Sequence, residues 1–347
     1  MNEYYRKTLE KVEGVLKWAL PEENLSVWAD WIAGCPPEPV PRESFAVINR
    51  PALDLLSRGG KRWRPVLMCL SCELYGGGEA AVSFTPLVEF PHNGSLIVDD
   101  IEDNSDMRRG LPAVHTLYGQ DTAINTGNFL YFLPLILLEN PLVEDEIRLR
   151  MYGYYGEALR RLHLGQGLDI QWHRDQDFFP EKGAYLQMCR FKTGSLARLA
   201  GQAGAAAAGV PEEEAEFLGG LWETLGVAFQ IADDVTNLTR GNPGKNRGDD
   251  IVEGKKSLPV LLAAAASPDN RKRLGEIFRL TRERGFEEGR PLIEEAIALL
   301  EGAGAVEAAR QEALASLARV ESEVKSRFSP SEPREAVLSM IASFQGS

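Results

Sequence analysis

The sequence predicts an all-α fold built as one compact helical bundle, and three observations carry that prediction. Long runs such as Ala184–Ala208, Glu212–Ala232 and Leu258–Ala266 are rich in Ala, Leu and Glu, the residues that lose least on entering a helix. Alternating Val/Ile/Thr segments of strand type are scarce. The punctuation is helix-stop chemistry: Gly76-Gly77-Gly78, Gly209–Pro211, Ser267–Asn270 and Ser329–Pro333.

In chain order, residues 1–42 form an N-terminal helical segment and a Pro-rich connector, CPPEPVPR at 35–42. The opening stretch MNEYYRKTLEKVEG is charged and has no apolar h-region, so it does not read as a signal peptide. Residues 43–265 hold the distinctive chemistry, and 266–347 are amphipathic helices. Pro65–Leu74 is apolar enough to be a buried helix, and its Cys69 and Cys72 read as two buried thiols. No second cysteine pair or nearby His pair would make them a zinc site. The longest apolar run, Phe129–Leu138, contains Pro134 and falls short of the roughly 18–20 residues of a membrane span. With 347 residues, 44% of them hydrophobic and 26% charged, the chain has the balance of a globular protein. Its 38 basic against 51 acidic residues give a net charge of −13, which argues against a general nucleic-acid binder. A cytoplasmic, reduced protein is expected.

The chemistry concentrates at VDDIEDNSDMRRG, residues 98–110. On a helix Asp99 and Asp103 stand at i and i+4 and share one face, with Asp100 and Glu102 beside them. Like charges at that spacing repel, so the cluster asks for a cation. Carboxylates without His or Cys suit a hard divalent ion, and magnesium is the usual one where phosphates complete its shell. Arg108 and Arg109 follow as phosphate-binding forks. A second pair, Asp233-Asp234, closes the apolar run FQIA, with Asn237 at i+4 from Asp233. Two acid-ended apolar helices suggest carboxylates facing each other at the mouth of a cavity, gripping one diphosphate through bridging ions.

Basic groups come in matching sets. Lys61 and Arg64 follow the pair Gly59-Gly60, Lys192-Thr193 interrupts an apolar helix, and Lys245, Lys255 and Lys256 lie beyond the second acid pair. Lys192 on an apolar face demands a partner. Arg62 and Lys256 read as ordinary surface cations. His92 lies seven residues before Asp99, two turns along the same face, within reach of a phosphate.

These segments, GGKRWRP, HNGSLIVDDIEDNSDMRRG, His115, FKTG, FQIADDVTN and DDIVEGKKSLP, resemble the trans-prenyltransferase (polyprenyl synthase) family in order and spacing over about residues 50–260. The wording DDIEDNS and the Asn-ending second motif look most like geranylgeranyl diphosphate synthases of eukaryotic type. The resemblance implies an isoprenoid-synthase helical bundle around a central cavity, working as a homodimer. It implies Mg2+ ligands at Asp99, Asp103 and Asp233, with Asp100 in support and Asp234 and Asn237 beside Asp233. Lys61, Arg64, His92 and Arg109 match the isopentenyl diphosphate site. Arg108, Lys192, Thr193, Gln230, Lys245 and Lys255 match the allylic diphosphate site.

The implied reaction is chain elongation. Magnesium with Arg108, Lys192 and Lys255 neutralises the leaving diphosphate, the allylic C–O bond ionises, and isopentenyl diphosphate adds its double bond to the cation. Product length is set by the depth below Asp99. One turn upstream stand Gly94 and Ser95, where an aromatic would stop growth at farnesyl diphosphate in this family, and His115 matches a floor residue. The expected product is geranylgeranyl diphosphate, with longer polyprenyl diphosphates as the alternative. A terpene cyclase would carry Asn, Ser and Glu at spaced positions in its second motif, and Asp233–Asn237 does not supply them. A non-catalytic partner subunit would have lost metal or phosphate residues, and none of the matched positions is lost.

Overall fold

A computed structural model describes residues 2–34, 40–241 and 246–345. Helices dominate, and the only strands among the described residues are Met107–Arg108 and Leu111–Pro112. They form an antiparallel hairpin with Met107 opposite Pro112 and Arg108 opposite Leu111. Lys245 and residues 35–39 of the Pro-rich connector lie outside the described residues. No described helix is long and apolar enough to cross a membrane.

The chain's contacts group into two compact units, each assembled from three stretches. Met1–Leu159, Leu196–Gly220 and Phe328–Ser339 make the first, and Arg160–Ser195, Leu221–Arg327 and Met340–Ser347 the second. Neither unit is a contiguous piece of sequence.

In the first unit the helix Trp63–Leu74 is buried from Trp63 to Cys72, because its sequence is apolar on every side. Cys69 and Cys72 are free, buried thiols, and burial raises both above the ordinary thiol range. The helix Pro86–Glu102 packs most extensively against Gln120–Phe132. Their closest approach is at a glycine pair: a Cβ on Gly94 would lie 2.7 Å from the Gly127 carbonyl, and one on Gly127 would lie 2.7 Å from Val98 Cγ2.

In the second unit the core gathers Trp172, Tyr185, Ile231, Leu258, Phe278 and Ile297. The helix Leu258–Ala266 has the bounds that its apolar run implies. The Ala184–Ala208 run does not form one helix. Lys182–Cys189 is α-helical, Arg190–Gly194 makes a π turn, and Ser195–Ala207 resumes the α-helix. Single π turns inside helices are frequent at functional sites, and this one carries Lys192 and Thr193. Long helix Pro268–Gly302 breaks at Gly285, whose φ of 74° lies in the left-handed region.

Candidate active site

In the first unit the helix Pro86–Glu102 ends at the acidic motif, with Asp103 as its C-cap. The carboxylates therefore crowd the negative pole of the helix, where anions are disfavoured and a cation is welcome. Asp100 is fully buried and accepts a 2.8 Å hydrogen bond from Arg108 Nε, while Arg108 Nη2 lies 3.5 Å from Asp99 Oδ2. Arg108 and Arg109 sit on the hairpin, not on a continuing helix. Arg109 (φ 54°) and Gly110 (φ 76°) occupy the two central positions of the turn, and positive φ at both matches the right-handed twist of a hairpin.

Two arginines tie this hairpin to the loop that carries Lys61. Arg58 Nη1 donates to the carbonyls of Arg108 (3.0 Å) and Pro112 (2.9 Å), and its fork also grips Asp54 at 3.0 and 3.1 Å. Arg109 Nη1 donates to the carbonyls of Leu55 (3.1 Å) and Gly59. A Cβ on Gly60 would stand only 3.2 Å from Arg109 Nη2, so the glycine lets the guanidinium lie against the chain just before Lys61. Arg64 is buried with its guanidinium 4.4 Å from the centroid of the Trp63 ring.

His92 is half-buried among these cations. Burial and the charges of Arg64, Arg109, Arg62 and Arg108 hold its pKa well below the usual imidazole value, so the ring is neutral at pH 7. Burial, Arg62 and Arg108 likewise push Arg109 down to about 10, against the pull of Glu89. Cations packed until they depress one another's basicity make a preformed anion site. The first unit thus brings Arg64, His92, Arg108 and Arg109 together beside Asp99 and Asp100, and leaves Lys61 exposed at the rim.

Of the chain-length candidates, Gly94 is buried at the helix crossing, where any side chain meets the Gly127 backbone. Ser95 is half-buried and donates to the His92 carbonyl at 2.9 Å. His115 lies on the short helix Val114–Tyr118, its Nδ1 buried and without a hydrogen-bond partner among the described residues.

The second unit joins its candidates by hydrogen bonds. Thr193 Oγ1 donates to Gln230 Oε1 (2.6 Å), and Gln230 Nε2 donates to Asp234 Oδ1 (2.8 Å). Tyr185 Oη donates to the other oxygen of Asp234 at 2.7 Å. Lys192 Nζ reaches Asp169 Oδ2 at 2.6 Å, the partner that its place on an apolar face requires. Gly165 makes room for that turn, since a Cβ there would lie 2.3 Å from the Lys192 backbone nitrogen. Burial, with Asp233 and Asp169 adding to it, raises the Asp234 carboxyl to about 6, while Tyr185 and Gln230 pull it down. Lys255 pairs with Glu253 at 2.5 Å and stands 3.9 Å from Asp250.

Two residues differ from the sequence reading. Arg62 and Lys256 are not surface cations. Arg62 is buried between Glu13 and Glu89, at 2.8 and 2.6 Å. Lys256 is 2% exposed, with Nζ 4.2 Å from the Phe278 ring centroid and 4.9 Å from that of Phe179. Its amine has no hydrogen-bond partner among the described residues, and burial lowers its pKa to about 8. The ring faces supply part of what water would have given. Motif spacing did not reveal Arg58, Asp169, Tyr185 or Glu89, because each acts through a contact far away in sequence. Only the lone Lys192 on its apolar face signalled that Asp169, or some acid like it, had to exist.

The donor sets fit a hard divalent cation. Each unit offers carboxylate oxygens at or near a helix C-terminus, and Asn237 is fully buried with Oδ1 and Nδ2 unbonded among the described residues. Among those residues no three His, Cys, Asp or Glu side chains form a ready cage. Such open donor sets suit magnesium, which keeps waters and takes phosphate oxygens to fill its shell.

Comparison with known proteins agrees with this chemistry. The polyprenyl synthetase family model matches residues 45–295. The chain is 39% identical over 223 residues to a geranylgeranyl pyrophosphate synthase of Eremothecium gossypii, covering 62% of this chain and 68% of that one. It is 35% identical over 221 residues to a geranylfarnesyl diphosphate synthase of Aeropyrum pernix, covering 61% and 69%. With other curated fungal relatives it aligns over about half of their length. A crystal structure of a geranylgeranyl pyrophosphate synthase superposes with a TM-score of 0.85 at 27% identity, covering 100% of this chain and 99% of that one. A family match over most of the chain, with its motifs assembled as described, makes this protein a member of the polyprenyl synthetase family and a trans-prenyltransferase.

Proposed function

We propose that the chain elongates an allylic diphosphate (dimethylallyl, geranyl or farnesyl) with isopentenyl diphosphate, releasing diphosphate and forming geranylgeranyl diphosphate. The observation that carries this reading is the crowd of guanidinium groups around a neutral His92, next to a helix end loaded with carboxylates. In it Lys61, Arg64, His92 and Arg109 hold the diphosphate of isopentenyl diphosphate. Arg108, Lys192, Thr193, Gln230 and Lys255 hold the allylic diphosphate, with Lys245 as a further candidate. Magnesium, held by Asp99, Asp103 and Asp233, supplies charge to the leaving diphosphate. Asp100 keeps Arg108 in place, as their ion pair suggests.

The rest follows from the chain's own groups. Neutral His92 donates one N–H to a phosphate oxygen without adding charge to a crowded site. Lys192, oriented by Asp169, and Lys255 draw the allylic diphosphate away as its C–O bond breaks. The isopentenyl double bond then joins the allylic cation. Since no side chain in these clusters is an obvious base, the departing diphosphate takes the proton that the isopentenyl-derived part loses to form the new double bond.

Twenty carbons is the length that the homologue from Eremothecium gossypii supports, and Ser95 is small where, in this family, an aromatic would stop growth at fifteen. A twenty-five-carbon product is the second reading, favoured by the likeness to a geranylfarnesyl synthase. A homodimer is part of the proposal, supported by the exposed apolar residues Ile124, Phe132 and Leu149. Among the described residues the free, buried thiols Cys69, Cys72 and Cys189 suit a reducing cytoplasm.

The test is incubation with magnesium, labelled isopentenyl diphosphate and each allylic primer in turn, followed by sizing of the product. Label in a twenty-carbon alcohol after phosphatase treatment is expected. Absence of any labelled prenyl chain overturns the reading, and a cyclic hydrocarbon replaces it with a cyclase.

A further inference from the structure

We propose that the N-terminal helix Glu3–Ala19 is a positioning element for the isopentenyl diphosphate cations, acting through Glu13 and Tyr5; this rests on the assignment of Lys61, Arg64 and His92 above. The argument begins at Arg62. It is the N-cap of the helix Trp63–Leu74 and has φ 46° and ψ 24°, a left-handed conformation that a side chain with a Cβ rarely adopts. Such a residue persists only where its surroundings over-determine it.

Here they do. Arg62 Nε donates to Glu13 at 2.8 Å, Nη1 donates to Glu89 at 2.6 Å, and Nη2 donates to the Leu56 carbonyl. Glu89 is itself held by Asn93, whose Nδ2 donates to the Glu89 carboxylate and carbonyl, both at 2.8 Å. Tyr5 Oη donates to the Lys61 carbonyl at 3.2 Å. The helix Glu3–Ala19 therefore touches the backbone of Lys61 and the side chain of Arg62.

The consequence lies in chain order. Arg62 points inward between Glu13 and Glu89, and Lys61 and Arg64 flank it in the chain. Asn93, at the far end of the same network, directly follows His92. Three of the four groups assigned to isopentenyl diphosphate thus hang from one buried network, and none of the allylic groups in the second unit belongs to it. Glu13 is the one member whose side chain is partly open to water, at 35%, so it can be changed without stranding a fully buried charge.

The test is steady-state kinetics of the full chain, with each substrate varied against saturating amounts of the other. Glu13→Gln should raise KM for isopentenyl diphosphate about tenfold, leaving kcat and the allylic KM within about twofold. Tyr5→Phe should give a smaller rise in the same constant, and Glu13→Asp should restore part of the loss. An unchanged isopentenyl diphosphate KM, or an equal rise in both KM values, overturns the proposal, because general loosening of the fold would move both. Should Glu13→Gln not fold, Tyr5→Phe decides by the same criterion. A wild-type chain that elongates no primer overturns the functional reading itself and this inference with it. That result is distinct from an active wild type whose variants leave KM untouched.

Discussion

The two acidic motifs carry similar letters but are neutralised differently. The first stands at the end of the helix Pro86–Glu102, while the second lies inside the helix Glu212–Thr239, short of the end at which the sequence placed it. At the first, buried Asp100 is matched by a full cation, Arg108, which also lies close to Asp99. At the second, buried Asp234 is met by two neutral donors, Tyr185 and Gln230, and its pKa rises to about 6. The first carboxylate is therefore met by a full positive charge. The second stays close to protonation and depends more on any added cation. Two motifs with similar letters are thus held by different chemistry, an ion pair at one and neutral hydrogen-bond donors at the other.

The largest effect that tests the comparison concerns what the ends share. Asp99→Ala and Asp233→Ala should each lower kcat by at least about a thousandfold, with circular dichroism and melting temperature close to wild type. Retained turnover in either variant would remove that residue from the metal set.

The next effect separates the two ends. Arg108→Met leaves the Asp100 carboxylate buried without its cation and should cost about 3–5 kcal/mol at pH 8 by denaturant unfolding. Tyr185→Phe removes one hydrogen bond and should cost about 1–3 kcal/mol at the same pH. The pH dependence differs as well. Asp234 has a folded pKa above its unfolded value, so the native state binds the extra proton between about 4 and 6, and the carboxylate weighs on stability above that window. Only the carboxylate needs the Tyr185 hydroxyl strongly, so the cost of Tyr185→Phe should shrink at pH 5. A cost equal at pH 5 and pH 8 would contradict this account of the second end.

The smallest effect is on product length. Gly94→Phe, the obvious lengthening of the residue below Asp99, should melt the helix crossing rather than shorten the product, because its Cβ meets the Gly127 carbonyl. Ser95→Phe should instead shift the product by one five-carbon unit, read by chromatography of the dephosphorylated chain. Shorter products from a stable Gly94→Phe would show that the crossing yields to a side chain despite the 2.7 Å approach of its Cβ to the Gly127 carbonyl.

Much of this was legible in the sequence. Helical periodicity and stop residues fixed the class, and Leu258–Ala266 even gave its bounds. Acid spacing correctly placed Asp99 and Asp103 at a helix end, and Lys192 announced an unseen acid. The hairpin under Arg108 and Arg109 was not legible, since two-residue strands bury too little to leave a periodic trace. Nor was the π turn at Lys192, which interrupts a run that reads as uniform helix. Arg62 and Lys256 misled because a charged letter implies water unless the partner is known.

By itself the chain's order of residues determined which segments coil and which side chains carry charge, because periodicity and capping act over neighbours a few positions apart. Tertiary structure alone decided which charges are spent on one another. Arg62 belongs to Glu13 and Glu89, Asp100 to Arg108, and Asp234 to a tyrosine 49 residues away. Pairing of that kind depends on burial and distance, and neither quantity is written in the spacing of letters along the chain.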